Sequence, residues 1–266
     1  MKSFLGIARE PVYSPGKVGD DRAILDEVAA RLRRRGHQVR VVDPTDAPSS
    51  VDLGTIVFAM CQGPRALAAL EQWSRAGVRI VNTPQAIADC HRLPTLEAFA
   101  RRGIRHPESL IVATDGSAEL PDWLEKGAWL KRSDVHAVEA NDVVRLEDNS
   151  AAARWLASFA TRGIGTAVLQ RHVEGDVIKF YAVRGGFFAA YPGEGARELA
   201  PDDERAMREL AARGADALGL EVFGGDVVRE RSGVFTLIDL NDWPSYGRCR
   251  ARGADAISSY LDAQTE

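Results

Sequence analysis

Near the C-terminus a largely apolar run, Val234 to Leu240, carries one carboxylate, Asp239, and is followed by the amide Asn241 in the stretch LIDLNDWPSY. A charge buried in an apolar strand without a partner is costly, so these groups must face something. Strand side chains alternate, which puts Asp239 and Asn241 on one face and Ile238 and Leu240 on the other. The preceding strand-like stretch, EVFGGDVVRE, holds a second acid, Asp226. If the turn between the two stretches is even, with Ser232 and Gly233 as its two-residue form, Asp226 falls opposite Asp239. A three-residue turn would set Asp226 against Ile238 instead. The even turn brings two carboxylates and one amide oxygen together, and Mg2+ takes such hard oxygens while water and phosphate complete its shell. On a solvent-facing hairpin the same residues would be ordinary hydrated acids. Asp242 is out of phase and is expected to face away, with Trp243 and Pro244 ending the strand and walling the pocket.

Two lysines sit in unusual company. Lys131 ends the apparent strand AWLK, and Lys179 lies inside VIKFYAV. Lysine is rarely buried unless paired, and phosphate is a natural partner for its point charge. Snorkelling to solvent is the alternative. The segment VLQRHVEGD passes from an apolar strand to a polar turn at Glu174, Gly175 and Asp176. It can offer backbone groups to a purine edge with an acid near the ribose, and an ordinary hairpin turn has the same composition.

The elements that must position these residues fall into two textures. Up to about residue 82, strand-like runs (4–8, 38–43, 55–60, 78–82) alternate with helical ones (20–36, 65–77). Ile24, Leu25, Val28 and Leu32 share one helical face, with Asp20 as N-cap and Gly36 as the stop. Such alternation implies a parallel sheet. Residues 83–104 read as a helix, a break at Pro94, and a second helix ended by Gly103. From about 107 the runs SLIVAT, GAWLKRS, AVLQRHV, DVIKFYAVRGGFFAAYP, LEVFGGDVVRE and GVFTLIDLN are strand-like, with helices at 151–161 and 201–217. This is an α+β texture with antiparallel pairing. The reading is therefore an N-terminal α/β domain over 1–82 and a second domain over 83–266, divided into a small lobe at about 107–170 and a C-terminal lobe at about 171–266.

Composition excludes several classes. A net charge of −4 without a long basic run argues against a nucleic-acid partner. No apolar run approaches the length of a membrane span. Cys61, Cys90 and Cys249 are far apart and make no metal-ligand spacing, which fits a reducing cytoplasm.

In their order along the chain, the elements NTPQAIADCHRLPTLEAFARRGIRHPESL, WLKR, VLQRHVEGDVIKFYAV, GLEVFGGDVV and LIDLNDWPS resemble the ATP-grasp superfamily over roughly residues 80 to 246. The last element is the most specific. The resemblance implies an α/β lobe followed by two α+β lobes that sandwich ATP, with ATP and Mg2+ as cofactors and Mn2+ as a substitute. Carried over residue by residue, it implies Asp226, Asp239 and Asn241 as metal ligands. Lys131 would meet the α- and β-phosphates, and Gln170, Arg171, His172 and Val173 would form the adenine hinge. Asp176 would lie by the ribose, and Lys179 would reach the γ-phosphate. Two features depart from the family pattern. Arg92 stands where a helix lysine is usual, and the segment 131–142 lacks the glycines of a phosphate loop, leaving Arg132, Ser133 and His136 to act through side chains.

Three functions follow from the resemblance. The first is an ATP-dependent carboxylate–amine ligase working through an acyl phosphate, with small-molecule substrates and Arg248 or Arg250 anchoring a substrate anion. Those arginines could equally open a basic helix. The second is a small-molecule kinase similar to the inositol trisphosphate kinases, for which His136 and IKFYAV speak. The third is a nucleotide-binding protein without chemistry. Relatives are often dimers, so a homodimer is in keeping. The loop 9–21 after the first strand adds Arg9, Tyr13, Ser14 and Lys17 as substrate-site candidates, because ligands of doubly wound sheets sit at strand carboxyl ends.

Overall fold

The computed structural model describes residues 1–133 and 139–264. Its first third is strand β1 (Ser3–Ile7), helix α1 (Val18–Arg34), β2 (Gln38–Val42), β3 (Thr55–Ala59), α2 (Pro64–Arg75) and β4 (Arg79–Val81). The strands form a parallel sheet in the order β2-β1-β3-β4. Asp20 lies in the first turn of α1 instead of capping it. Next come α3 (Pro84–Asp89), capped by the Thr83 hydroxyl, and α4 (Arg92–Arg102), closed by Gly103 at φ 59°. The break falls at Cys90–His91, ahead of Pro94. Proline is tolerated in a helix's first turn because its missing N–H has no partner there anyway.

A second sheet is built from β5 (Ser109–Ala113), β6 (Ala128–Arg132), β7 (Val143–Leu146) and β8 (Thr166–Arg171), antiparallel in the order β5-β8-β6-β7. Helix α5 (Asn149–Thr161), capped by Asp148, covers it, and Leu130, Leu146, Leu156, Phe159 and Leu169 make a core of its own. The third sheet holds β9 (Asp176–Val183), β10 (Phe187–Pro192), β11 (Val222–Arg229) and β12 (Phe235–Asp242), in the order β10-β9-β11-β12. The run read as one strand over 176–192 folds back on itself at Gly185 and Gly186, whose φ angles are 95° and 138°. Helix α6 (Pro201–Leu218) precedes β11, and α7 (Arg250–Asp262) ends the fold. Strand β7 went unread in the sequence, and helix α7 was met only at its start, as the basic helix that Arg248 or Arg250 could open.

Helix α7 packs on α1, and Ile257 and Leu261 share a core with Ile24, Leu25, Tyr181, Val222 and Trp243. The first and third sheets are thus welded through common apolar contacts, whereas the second sheet keeps a separate core. The other face of the third sheet is covered by α6 and α4 through Met207, Leu210, Phe99 and Leu237.

The turn between β11 and β12 corrects the sequence reading. Glu230 N–H donates to Val234 O (2.9 Å) and Gly233 N–H to Glu230 O (2.9 Å), so Arg231, Ser232 and Gly233 form the odd, three-residue turn. That turn sets Val227 against Leu237. A β-bulge follows, and Asp226 then pairs with Asp239, leaving Ile238 as the extra residue. A bulge is one residue inserted in one strand, so it shifts the register by one and undoes the effect of the odd turn. The close strand approach requires Gly225: a Cβ there would lie 2.2 Å from the carbonyl oxygen of Asp239.

Candidate functional site

A cavity of about 510 Å³ opens between the second and third sheets, with the loop after β1 closing one end. From the second sheet come Trp129, Lys131 and Gln170, then Arg171, His172 and Val173 at the crossing to the third. From the third sheet come Lys179, Tyr181, Asp226, Ile238, Asp239 and Asn241. Arg92 reaches in from α4, and Arg9, Tyr13, Ser14 and Lys17 from the first loop.

Asp226 and Asp239 face each other across β11 and β12. Burial, and then the charge of Asp239, push the Asp226 carboxyl above the usual carboxylate range. Lys179 answers this from β9, its ammonium 2.8 Å from Asp226. Asn241 Nδ2 donates to Asp239 Oδ2 at 2.8 Å, which directs the amide's acceptor end elsewhere. Two opposed carboxylates in a partly desolvated wall, steadied by one ammonium, fit a hard divalent cation. Among the described residues there is no cluster of three or more His, Cys, Asp or Glu able to hold a metal. Beyond this pair and the neighbouring Asn241 amide, a cation here would draw its remaining ligands from water and phosphate, as Mg2+ does.

Lys131 is deeply set. Its ammonium donates to Gln170 Oε1 at 2.7 Å, and Gln170 Nε2 donates to the Ser109 hydroxyl at 3.2 Å. Burial lowers its pKa to about 8, against the opposing pull of Asp239. If Lys131 meets phosphate, nucleotide binding weakens above pH 8, because the free protein loses the proton that the phosphate requires. The dissociation constant of ADP is expected to rise by up to about tenfold per pH unit there. In Lys131→Arg the dependence should vanish, since a guanidinium keeps its charge. Titrations at pH 7 and 9 read this directly, and a flat wild-type profile would refute the phosphate role.

Arg92 donates through Nε to Arg132 O at 2.8 Å, and burial lowers its pKa. Arg132 itself pairs with the buried Asp142 (3.2 Å), and the Ser133 hydroxyl is turned to Thr166 O (2.7 Å). His136 lies outside the described residues.

Arg132, Ser133, Asp176, Arg248 and Arg250 are placed off the cavity wall, Arg250 pairing with Asp20. Asp176 is absent from the cavity wall and binds the buried Arg229 at 2.8 Å, which holds its carboxyl below the usual range. Asp176→Ala should therefore lower the melting temperature and leave ADP affinity within about twofold of wild type. Loss of affinity without loss of stability would restore the ribose role. Arg248 is exposed, its guanidinium over the Tyr191 ring at 5.9 Å. Asp242, expected to face away from the site, is buried, lines the cavity's closed end and accepts from Gln62 Nε2 at 2.8 Å. Ile238, expected on the far face, lines the cavity because the bulge turns it there. Trp129, whose indole donates to His172 Nδ1 at 3.2 Å, was also missed, although it stands two residues from Lys131 on the same strand face.

No family model matches this chain, and no curated relative is found for it. Solved structures do match over nearly the whole length. D-alanyl-alanine synthetase A from Vibrio cholerae has 11% identity, covers 98% of this chain and 96% of its own, and superposes with a TM-score of 0.72. The RimK domain ATP-grasp protein from Sphaerobacter thermophilus has 18% identity, 98% coverage of both chains and a TM-score of 0.71. The ATP-grasp ligase PsnB, complexed with the precursor peptide PsnA2 and AMPPNP, has 18% identity, covers 98% of this chain and 97% of its own, and gives a TM-score of 0.66. The chain has the ATP-grasp fold, an α/β lobe and two α+β lobes around a cleft. Among the described residues no helix is long and apolar enough to cross a membrane.

Proposed function

We propose that the protein is an ATP- and magnesium-dependent carboxylate–amine ligase. The observation that carries this reading is the meeting, in one cavity, of the opposed Asp226–Asp239 pair with Asn241, Lys131 and Lys179. The solved structures of the same fold with ligase names lend it support.

In this reading Asp226, Asp239 and Asn241 hold the metal, which supplies charge stabilisation at the phosphates when bound. Lys131 meets the α- and β-phosphates from the second sheet, and the backbone of Arg171 to Val173 takes the adenine edge. Ile238 and Trp129 give the base apolar walls. Lys179, which pairs with Asp226 from β9, would reach the γ-phosphate beside the metal that the two acids would hold. A substrate carboxylate then receives the phosphoryl group and an amine displaces phosphate. No covalent protein nucleophile is required, only alignment and charge stabilisation. The substrates are a small carboxylate or peptide and an amine, met at the end of the cavity near Tyr13, Ser14 and Lys17.

The test is ADP release with ATP, Mg2+ and a panel of acids, amines and polyols. ADP formed only when a carboxylate and an amine are both present is the expected result. ADP formed with a polyol alone would make the protein a kinase, and absence of nucleotide binding would remove both enzyme readings.

A further inference from the structure

Two charged residues, Arg9 and Glu10, follow strand β1, and both serve the strand that carries the metal candidates. The Arg9 side chain is only 12% exposed. Its Nε donates to Met60 O at 3.0 Å, and one terminal nitrogen donates to Asp242 O at 3.2 Å and Trp243 O at 2.9 Å. The other terminal nitrogen donates to Asp21 Oδ2 at 3.4 Å. Glu10 accepts from the backbone N–H of Gln62 (3.0 Å) and of Gly63 (3.1 Å), and Gln62 in turn holds the Asp242 carboxylate. The gripped carbonyls belong to the two residues directly after Asn241.

The chain needs a grip at this point. Trp243 sits at φ 36°, a left-handed conformation that a bulky side chain adopts at a cost. Its indole N–H donates to Val81 O (3.1 Å) and its backbone N–H to Val222 O (3.1 Å), so the residue is fully buried and fixed. The end of β12 is thus held from the parallel sheet, not only by its own β-ladder.

We propose that Arg9 is a positioning residue for the metal-binding end of β12. By holding the carbonyls of Asp242 and Trp243 it sets the Asn241 carboxamide beside Asp239. The role differs from the substrate contact that its loop position suggested, because its Nε and one terminal nitrogen donate to protein carbonyls and the other terminal nitrogen faces Asp21. It also requires arginine. A planar fork reaches carbonyls in several directions at once, while a lysine ammonium acts as one compact point charge. The inference rests on the ligase reading, specifically on Asp226, Asp239 and Asn241 as metal ligands.

The experiment titrates Mn2+ into protein saturated with ADP and follows free Mn2+ by electron paramagnetic resonance. Wild type, Arg9→Lys and Asp21→Asn are compared, with ADP affinity in the absence of metal and thermal melts alongside. Arg9→Lys keeps the positive charge beside Asp21 and Asp242. It is expected to fold, to bind metal-free ADP within about twofold of wild type, and to bind Mn2+ about tenfold more weakly, as supporting residues around metal ligands typically do when replaced. Asp21→Asn leaves the grip on the two carbonyls in place and should bind Mn2+ as wild type does. Equal Mn2+ affinity in wild type and Arg9→Lys would overturn the proposal. So would an equal loss in Asp21→Asn, or an Arg9→Lys protein that cannot fold, since positioning must be separable from folding. If wild type with ADP binds no Mn2+, the metal assignment itself fails, whatever the Arg9 variants do.

Discussion

Asp239→Ala will fold as wild type does and will release ADP at least about 10³-fold more slowly, a loss of about 4 kcal/mol in transition-state stabilisation. The magnitude follows from what the residue faces. Asp239 stands opposite Asp226 and accepts from Asn241, so its removal takes away one of two carboxylates and the acceptor that orients the amide. Folding should not suffer, because the pair is repulsive. Asp226 has its carboxyl raised by burial first and by Asp239 second. A carboxyl raised in the folded state favours the proton there, so stability is lost as pH climbs past its unfolded value. Asp239→Ala removes part of that raise. Its melting temperature should therefore fall less than wild type's between pH 4 and pH 7. Asn241→Ala should also abolish turnover with the fold intact. Full activity in either variant would refute the metal assignment.

How much of this was legible depends on what each residue reports about itself. Asp239 and Asn241 were readable because polar groups in an apolar run demand a partner, and alternation assigns them a common face. The opposition of Asp226 and Asp239 was reached through an even turn that the chain does not have. Two irregularities, the turn at Gly233 and the bulge at Ile238, cancel. Gly233, at φ 84°, is the glycine a three-residue turn calls for but serves a two-residue turn equally well in sequence, and the bulge leaves no local signal, since it depends on which residues the partner strand must face. The same blindness put Ile238 on the wrong side. Asp176 misled for another reason. Its place after the hinge suggested a ribose, but it pairs with Arg229, buried at 3% exposure, whose charge it shares with Asp203 at 3.0 Å while the carbonyls of Arg197 and Glu198 accept from the same guanidinium. Asp242 is out of phase with Asp239 and Asn241 along β12, and what the alternation could not show is Gln62, which meets its carboxylate from after β3 at the end of the cavity. Most of helix α7 escaped because its buried residues include Gly253, Ala254 and Ser258, small groups that leave a weak periodic signal.

The second large effect lies away from the cavity, at a residue that the sequence showed only as the first letter of NTP. Asn82 is completely buried. Its Oδ1 accepts from the backbone N–H groups of Glu221 (2.8 Å) and Val222 (2.9 Å), and its Nδ2 donates to Val222 O (2.8 Å). One side chain at the end of the parallel sheet thus satisfies backbone groups at the start of β11, which pairs on its other edge with β9 from Val222 onward. Asn82→Ala would leave two buried N–H groups unpaired, at about 1–3 kcal/mol each. The expected loss is about 3 kcal/mol, or about 5 °C in melting temperature for a chain of this size. Because Trp243 N–H also leans on Val222 O, the loosening passes to the end of β12. Turnover below the melting transition should fall by about tenfold, far less than in Asp239→Ala, with metal-free ADP affinity retained. Calorimetry and ADP release on the same preparation separate the two effects. A melting temperature within 2 °C of wild type would mean that β11 holds its own start and that Asn82 does not join the sheets.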